Sequence, residues 1–290
     1  MTEQIALING IDICYDTIGD PAAEPLLLIM GLGAPLIWWE DEFCALLVNR
    51  GFFVIRYDNR DCGRSQRMTG RGSPARALLR LPGPYTLAEM ADDAAGLLDH
   101  LGIPSAHVAG VSLGGMIGQA LAIDRPERVR SLVSMMSSTG SRRVGYGRLS
   151  VVRLLTERVP NDRDSYVAAM LRISRAIGSP GFPFDEARIA ARAGRTFDRG
   201  VNPAGTRRQL AAAMSAPDRT RSLRRLRVPA EVIHGAADPL IHCSGGIATA
   251  RAIPDAKLWL VKGMGHDLPP PLWPAIADVL RRTADRAPGS

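Results

Sequence analysis

Residues 4–18 alternate apolar and polar positions around Asn9-Gly10. A period of two broken by an Asn-Gly pair predicts two antiparallel strands joined by a type I′ turn. The pattern then changes. Residues 26–30 and 51–57 are apolar runs of strand length, and helical spacing occupies 37–49 between them. Apolar runs without alternation belong to strands covered on both faces. Residues 86–101 read as an amphipathic helix that starts with Thr86-Leu87-Ala88-Glu89, a capping box. A short apolar run follows at 106–111, then a helix-forming stretch at 116–123 and a strand pattern at 129–135. Strands alternating with helices predict an α/β fold: a mostly parallel sheet with helices on both faces.

That rhythm breaks at Ser137-Ser138-Thr139-Gly140. From there to about Asp218 the pattern holds helical fragments and no strand. Breakers stand at Pro160-Asn161, at Gly178-Ser179-Pro180-Gly181 and at Gly200-Val201-Asn202-Pro203. The alternation resumes at Val228 and ends in a helix reaching about Arg282, entered through Pro269-Pro270-Pro271. Both flanks are needed to complete one sheet. The expected organisation is therefore a core of residues 1–137 and 219–290, with 138–218 inserted as a helical lid.

The candidate chemistry lies at the ends of the predicted strands. Gly110-Val111-Ser112-Leu113-Gly114 places a serine on a sharp strand-to-helix turn, its hydroxyl pushed out of the backbone envelope. Gly110 and Gly114 stand where a Cβ would collide with that turn. The following helix points N–H groups and the positive end of its dipole at any oxygen held there. Glycine-flanked serines also occur in ordinary turns, so a base and an acid must be found. His266 lies in Gly263-Met264-Gly265-His266-Asp267, after the apolar run 258–261, in a loop free to reach across a sheet edge. Asp238 lies in His234-Gly235-Ala236-Ala237-Asp238-Pro239, at a turn after another short strand. Backbone donors for an oxyanion are expected from Leu113 and from Leu32, in the loop Met30-Gly31-Leu32-Gly33.

The other candidates have simpler readings. His100 ends a helix, where a cation suits the dipole, while His107 and His234 belong to strands and to the core. His242, near Asp238, is the rival base. Asp267 is poorly placed as the orienting acid, because adjacent loop side chains rarely face each other.

Five blocks carry a resemblance: 26–33, Tyr57 to Ser65, the Ser112 turn, His234 to Asp238, and Gly263 to His266. The chain order Ser112, Asp238, His266 is that of the α/β-hydrolase superfamily. Asp58-Asn59-Arg60-Asp61-Cys62-Gly63-Arg64-Ser65 and the block Ile253-Pro254-Asp255-Ala256 to His266 are similar to anthracycline methylesterases and actinobacterial lipase/esterase-type hydrolases. The resemblance implies an α/β-hydrolase fold with a Ser112-His266-Asp238 triad. It also implies an oxyanion hole of the Leu32 and Leu113 N–H groups, supported by Gly31, Gly33, Gly110 and Gly114. Arg60, Asp61 and Ser65 would brace the nearby loop. The chain departs from the frequent His-Gly of the family's oxyanion loop, carrying Met30-Gly31 instead.

The reaction implied is hydrolysis of a small-molecule carboxylic ester or thioester without metal or organic cofactor. Val151, Val152, Leu154 and Leu155 in the lid suggest a lipophilic group on it. A cofactor-free perhydrolase, a C–C bond hydrolase or a non-catalytic hydrolase-like receptor would carry the same triad. Charge adds one question. The net charge is +7, yet residues 142–210 alone hold fourteen arginines against six acids. Such a surplus either attracts anionic lipid at a membrane surface or reflects a preference for arginine over lysine, of which the chain has two, Lys257 and Lys262. No basic run is interleaved with aromatics, so nucleic acid is not an expected partner. Four scattered cysteines, Cys14, Cys44, Cys62 and Cys243, have neither zinc-site nor disulfide-framework spacing. With no visible signal peptide or membrane-length apolar run, a cytoplasmic location is expected.

Overall fold

At the Asn9-Gly10 turn both residues take left-handed backbone, with φ of 49° and 81°. There β1 (Gln4–Ile8) folds back antiparallel onto β2 (Ile11–Ile18). The computed structural model describes residues 2–287 apart from 82 and 156. Beyond the hairpin come β3 (Glu24–Ile29), α1 (Asp41–Val48), β4 (Phe52–Tyr57), α2 (Pro74–Leu78) and α3 (Leu87–His100). They are followed by β5 (Ala106–Val111), α4 (Leu113–Asp124) and β6 (Val129–Met135). A helical stretch intervenes: α5 (Leu149–Leu155), α6 (Arg163–Ile177), α7 (Glu186–Asp198), α8 (Pro203–Ser215) and α9 (Thr220–Leu223). The sheet is completed by β7 (Ala230–Gly235), α10 (Ser244–Ala252), β8 (Lys257–Val261) and α11 (Trp273–Ala284).

One sheet of eight strands runs in the order β1-β2-β4-β3-β5-β6-β7-β8. Every neighbour pair from β4 to β8 is parallel, and the β1–β2 hairpin joins antiparallel at the β4 edge. The pleat sorts side chains to two faces. Leu27, Ile29, Val108 and Leu132 pack with Leu97 of α3 and Ile117 and Leu121 of α4. Leu26, Leu28, Ala109 and Val133 pack with Phe43 and Leu47 of α1 and Ile276 and Leu280 of α11. Burying each such side chain is worth about 1.5–3 kcal/mol, which explains the unalternated apolar runs. The α3 start is a true capping box, Glu89 N–H donating to Thr86 Oγ1 at 3.2 Å and Thr86 N–H to the Glu89 carboxylate at 2.8 Å. The helical spacing at 37–49 resolves into a 3-10 turn at Leu36–Trp38 and α1 from Asp41. Helix α4 begins at Leu113, just beyond Ser112, and takes in Gly114 and Gly115, poor helix formers that close packing requires there. Helix α2 has five residues, too few to show a period.

No helix among the described residues is long and apolar enough to cross a membrane. Many arginines of the stretch between β6 and β7 turn inward. Arg188 Nε and Arg192 Nη1 hold the two oxygens of buried Glu40 at 2.7 and 3.0 Å. Arg199 pairs with Glu3 and Asp58. Arg208 grips Asp61 through Nε at 2.8 Å and Nη2 at 2.6 Å. These guanidinium groups dock helices α7 and α8 on core carboxylates, so they do not provide a lipid-facing surface. Of the apolar residues expected to greet substrate, Val151 is buried and Leu154 half-buried. The side chains of Val152 and Leu155 lie outside the described residues.

Asp61 is almost fully buried, so removing its cation strands a charge. Arg208→Met is expected to lower the unfolding free energy by about 3 kcal/mol, read from urea melts at neutral pH. A loss under about 1 kcal/mol would mean that the neutral donors around Asp61 suffice.

Candidate active site

Ser112 is held at φ 55° and ψ −116°, outside the ordinary regions for a residue with a side chain. Strand β5 ends at Val111 and α4 starts at Leu113, so the chain reverses within one residue. A Cβ on Gly110 would overlap the Gly114 carbonyl, and one on Gly114 would overlap the Ile29 carbonyl. Glycine at both positions is thus a steric requirement of the turn. The Ser112 N–H donates to Met135 O at 2.8 Å, and Ser137 Oγ donates to Ser112 O at 2.8 Å. The hydroxyl is left at the first turn of α4.

Asp238 follows β7 and His266 follows β8. Their loops are tied by the Ala237 N–H donating to Met264 O at 2.9 Å. His266 Nδ1 lies 2.7 Å from Asp238 Oδ2. A carboxylate there accepts, so a neutral imidazole carries its proton on Nδ1 and its lone pair on Nε2. Burial alone would raise the Asp238 carboxyl. Contacts from His234 and His266 and the Ile241 N–H outweigh burial and hold it well below the usual carboxylate range. Its Oδ1 accepts the N–H groups of Leu240 and Ile241 at 2.8 and 2.9 Å. Asp238 and His266 are therefore brought together. Among the described residues, no hydrogen bond joins Ser112 Oγ to the imidazole.

The loop after β3 lies against the serine: a Cβ on Gly31 would be 3.3 Å from Ser112 Cβ and 3.9 Å from Oγ. The Leu32 N–H has no acceptor among the described residues, and that of Leu113 precedes the helical ladder. Gly33, at φ 65°, donates its N–H to Gln209 Oε1 at 2.8 Å, and Gln209 Nε2 donates to Arg60 O at 2.7 Å. Gln209 on α8 thus fixes the loop that carries Leu32. Nothing in its local sequence marks it, because a buried polar residue on a helix is silent until its partners are known. Arg60 is bidentate to Asp93, with Nε at 2.6 Å from Oδ2. Ser65 Oγ bridges the Cys14 N–H and Asp58 O. Arg60, Asp61 and Ser65 do brace that region.

The remaining candidates separate clearly. His100 is at the α3 C-terminus, 3.3 Å from the Tyr15 hydroxyl. His107 is buried against Ser131 Oγ at 2.8 Å, and burial pushes its imidazole down to about 4. His242 is exposed and contacts Ser244, not Asp238. His234 is buried in β7, with Nε2 2.8 Å from Ile241 O and 3.4 Å from Asp238 Oδ2. Its support of Asp238 was not expected from a core histidine. The His266 loop is not free, as a loop between glycines suggested: its N–H donates to Ile177 O at 2.7 Å.

Residues 24–269 match the model of the alpha/beta hydrolase fold family. The chain is 34% identical to the rhodomycin D methylesterase of Streptomyces peucetius, over 90% of this chain and 91% of that protein. It is 32% identical, over the same shares, to its counterpart from Streptomyces strain C5. Among solved structures it is similar to an enol-lactonase from Burkholderia xenovorans, with a TM-score of 0.76 and 23% identity over 98% of this chain and all (100%) of that one. An esterase from a Rhodococcus species gives a TM-score of 0.74 at 22% identity, covering 99% and 100% of the two chains.

The low Asp238 value has a consequence for stability. The folded carboxyl lies below its ordinary 3.8, so its contribution is complete above that pH and is lost as pH falls toward the folded value. The difference in unfolding free energy between the protein and Asp238→Asn should be flat above about pH 5 and shrink below about pH 4. Urea melts across that range measure it. A difference independent of pH would contradict the depressed carboxyl.

Proposed function

The chain belongs to the α/β-hydrolase fold family as a carboxylic-ester hydrolase, and we propose that Ser112, His266 and Asp238 carry its chemistry. The observation that carries this reading is the placement of a left-handed Ser112 at the first turn of α4, beside a loop with an unclaimed Leu32 N–H. The preformed Asp238–His266 pair stands at the same end of the parallel strands.

Each group has a defined role. His266 Nε2 takes the proton as Ser112 Oγ attacks the ester carbonyl, and the C–O bond to the alcohol breaks as that proton returns to the leaving oxygen. Asp238 holds Nδ1–H, selects this tautomer and stabilises the imidazolium. The Leu32 and Leu113 N–H groups receive the oxyanion, each worth about 3 kcal/mol. Water, deprotonated by His266, then releases the acid from Ser112. The proposed substrate is a methyl ester of a lipophilic acid, in keeping with the methylesterases that resemble this chain along 90% of its length. We assign residues 138–218 the role of a lid over that substrate.

Ser112→Ala should lower turnover of a p-nitrophenyl ester by about 10⁶-fold and abolish labelling by a fluorophosphonate. A loss under tenfold would remove Ser112 from the reaction. Across a series of alkyl esters of one lipophilic acid, kcat/KM should be highest for methyl. A preference rising with alcohol length would point to a different leaving-group site.

A further inference from the structure

The loop bearing His266 follows β8, the edge strand of the sheet, which has β7 as its sole neighbour in the strand order. Such a loop has core partners on one side alone, at the end of β7. The core supplies the Ala237 N–H to Met264 O bond at 2.9 Å and the Asp238 carboxylate on His266 Nδ1 at 2.7 Å. The stretch from the end of α6 through Phe182 supplies more. Besides the His266 N–H to Ile177 O bond at 2.7 Å, the Gly181 N–H donates to Gly263 O at 2.9 Å. The Gly265 N–H donates to Ser179 Oγ at 2.9 Å, and the Ser179 hydroxyl donates to Asp267 Oδ1.

Contact is close enough to dictate residue type. A Cβ on Gly265 would overlap the Gly178 carbonyl, and one on Gly181 would lie 2.7 Å from Gly263 Cα. The breaker Gly178-Ser179-Pro180-Gly181 is therefore a strap laid against the histidine loop. Ser179 holds the two residues that flank His266, accepting from one and donating to the other.

Resting on the esterase reading above, we infer that Ser179 is a positioning residue, setting the aim of the His266 imidazole through its bonds to Gly265 and Asp267. The strap belongs to the stretch assigned as lid, so one inserted segment both covers the site and completes its base. Without the hydroxyl, the Gly265 N–H and the Asp267 carboxylate lose their shared partner, and the loop is tied by backbone bonds on either side. A displacement near 1 Å between base and nucleophile costs about 10²-fold in rate.

The test uses the full chain and two readouts. In Ser179→Ala, kcat on a p-nitrophenyl ester should fall by about 10–100-fold with KM within twofold, since substrate contacts are untouched. The downfield proton resonance of His266 Nδ1–H, assigned by its loss in Asp238→Asn, should broaden. Ser179→Thr, which keeps the hydroxyl, should restore both. Asp267→Asn, which weakens one strap bond and leaves Ser179 intact, should give an intermediate loss and serves if Ser179→Ala fails to fold. A sharp, unshifted resonance in Ser179→Ala, with kcat within twofold, overturns the inference. Ser112→Ala in the same assay separates the two claims: inactivity there beside a fully active Ser179→Ala discards the strap and keeps the serine. Activity there discards the esterase reading, and the resonance still decides the strap.

Discussion

The strained turn at Ser112 is the constraint around which the rest is arranged. A residue with a side chain at φ 55° costs free energy that neighbouring structure must supply. Here β5 is hydrogen-bonded on both sides, to β3 and β6, and α4 packs back on those strands through Ile117 and Leu121. Three elements, β5, α4 and β3, meet within contact distance at Gly110, Gly114 and the Ile29 carbonyl. None can move without opening a gap beneath the serine. The unusual backbone angle is thus held by the packing of the sheet centre, between β3, β5 and α4.

The opposite holds at the periphery, where electrostatics replace packing. The stretch between β6 and β7 has few large apolar residues turned to the core and relies on arginines set into buried carboxylates. Glu40 receives Arg188 and Arg192, Asp58 receives Arg199, and Asp61 receives Arg208. Such pairs give orientation more than net stability, since desolvation cancels much of the attraction. They impose a definite placement of α7 and α8. That placement puts Gln209 on the loop that carries Leu32 and Trp38 Nε1 on Thr196 at 3.0 Å. Four of the arginines counted along this stretch, Arg188, Arg192, Arg199 and Arg208, therefore serve as docking devices, their charge met by acids from elsewhere in the chain.

How much of this was legible in the sequence depends on whether a feature is local. Strand-length apolar runs, the Asn9-Gly10 turn and the Thr86–Glu89 box each act within a few residues, and the structure follows them closely. Ser112, Asp238 and His266 stand out as candidates because each lies in a glycine-bearing turn after an apolar run, in a recognisable order. Gln209 and Ser179 act on residues 176 and 86 positions away. A polar side chain in a helix or a breaker has the same local appearance whether it meets water or a distant N–H. The inward turn of the arginines was hidden for the same reason: their partners Glu3, Glu40, Asp58 and Asp61 all lie in the first quarter of the chain.

Two carboxylates bear electrostatically on His266, and Asp238 alone touches its ring. Asp238 receives the N–H groups of Leu240 and Ile241 as well as His266 Nδ1, with His234 Nε2 close by. Those donors overcome burial and keep it charged. Asp267 is raised instead: burial dominates, with the Ser179 hydroxyl and the charges of Arg192 and His266 opposing it. A charged Asp238 beside a carboxyl with weaker anion support makes the field at the imidazole one-sided. Nδ1–H is drawn toward Asp238, and the bare Nε2 faces away from it. The Nδ1-protonated tautomer thus follows from the count of donors around each acid. It needs no contact with the serine in advance.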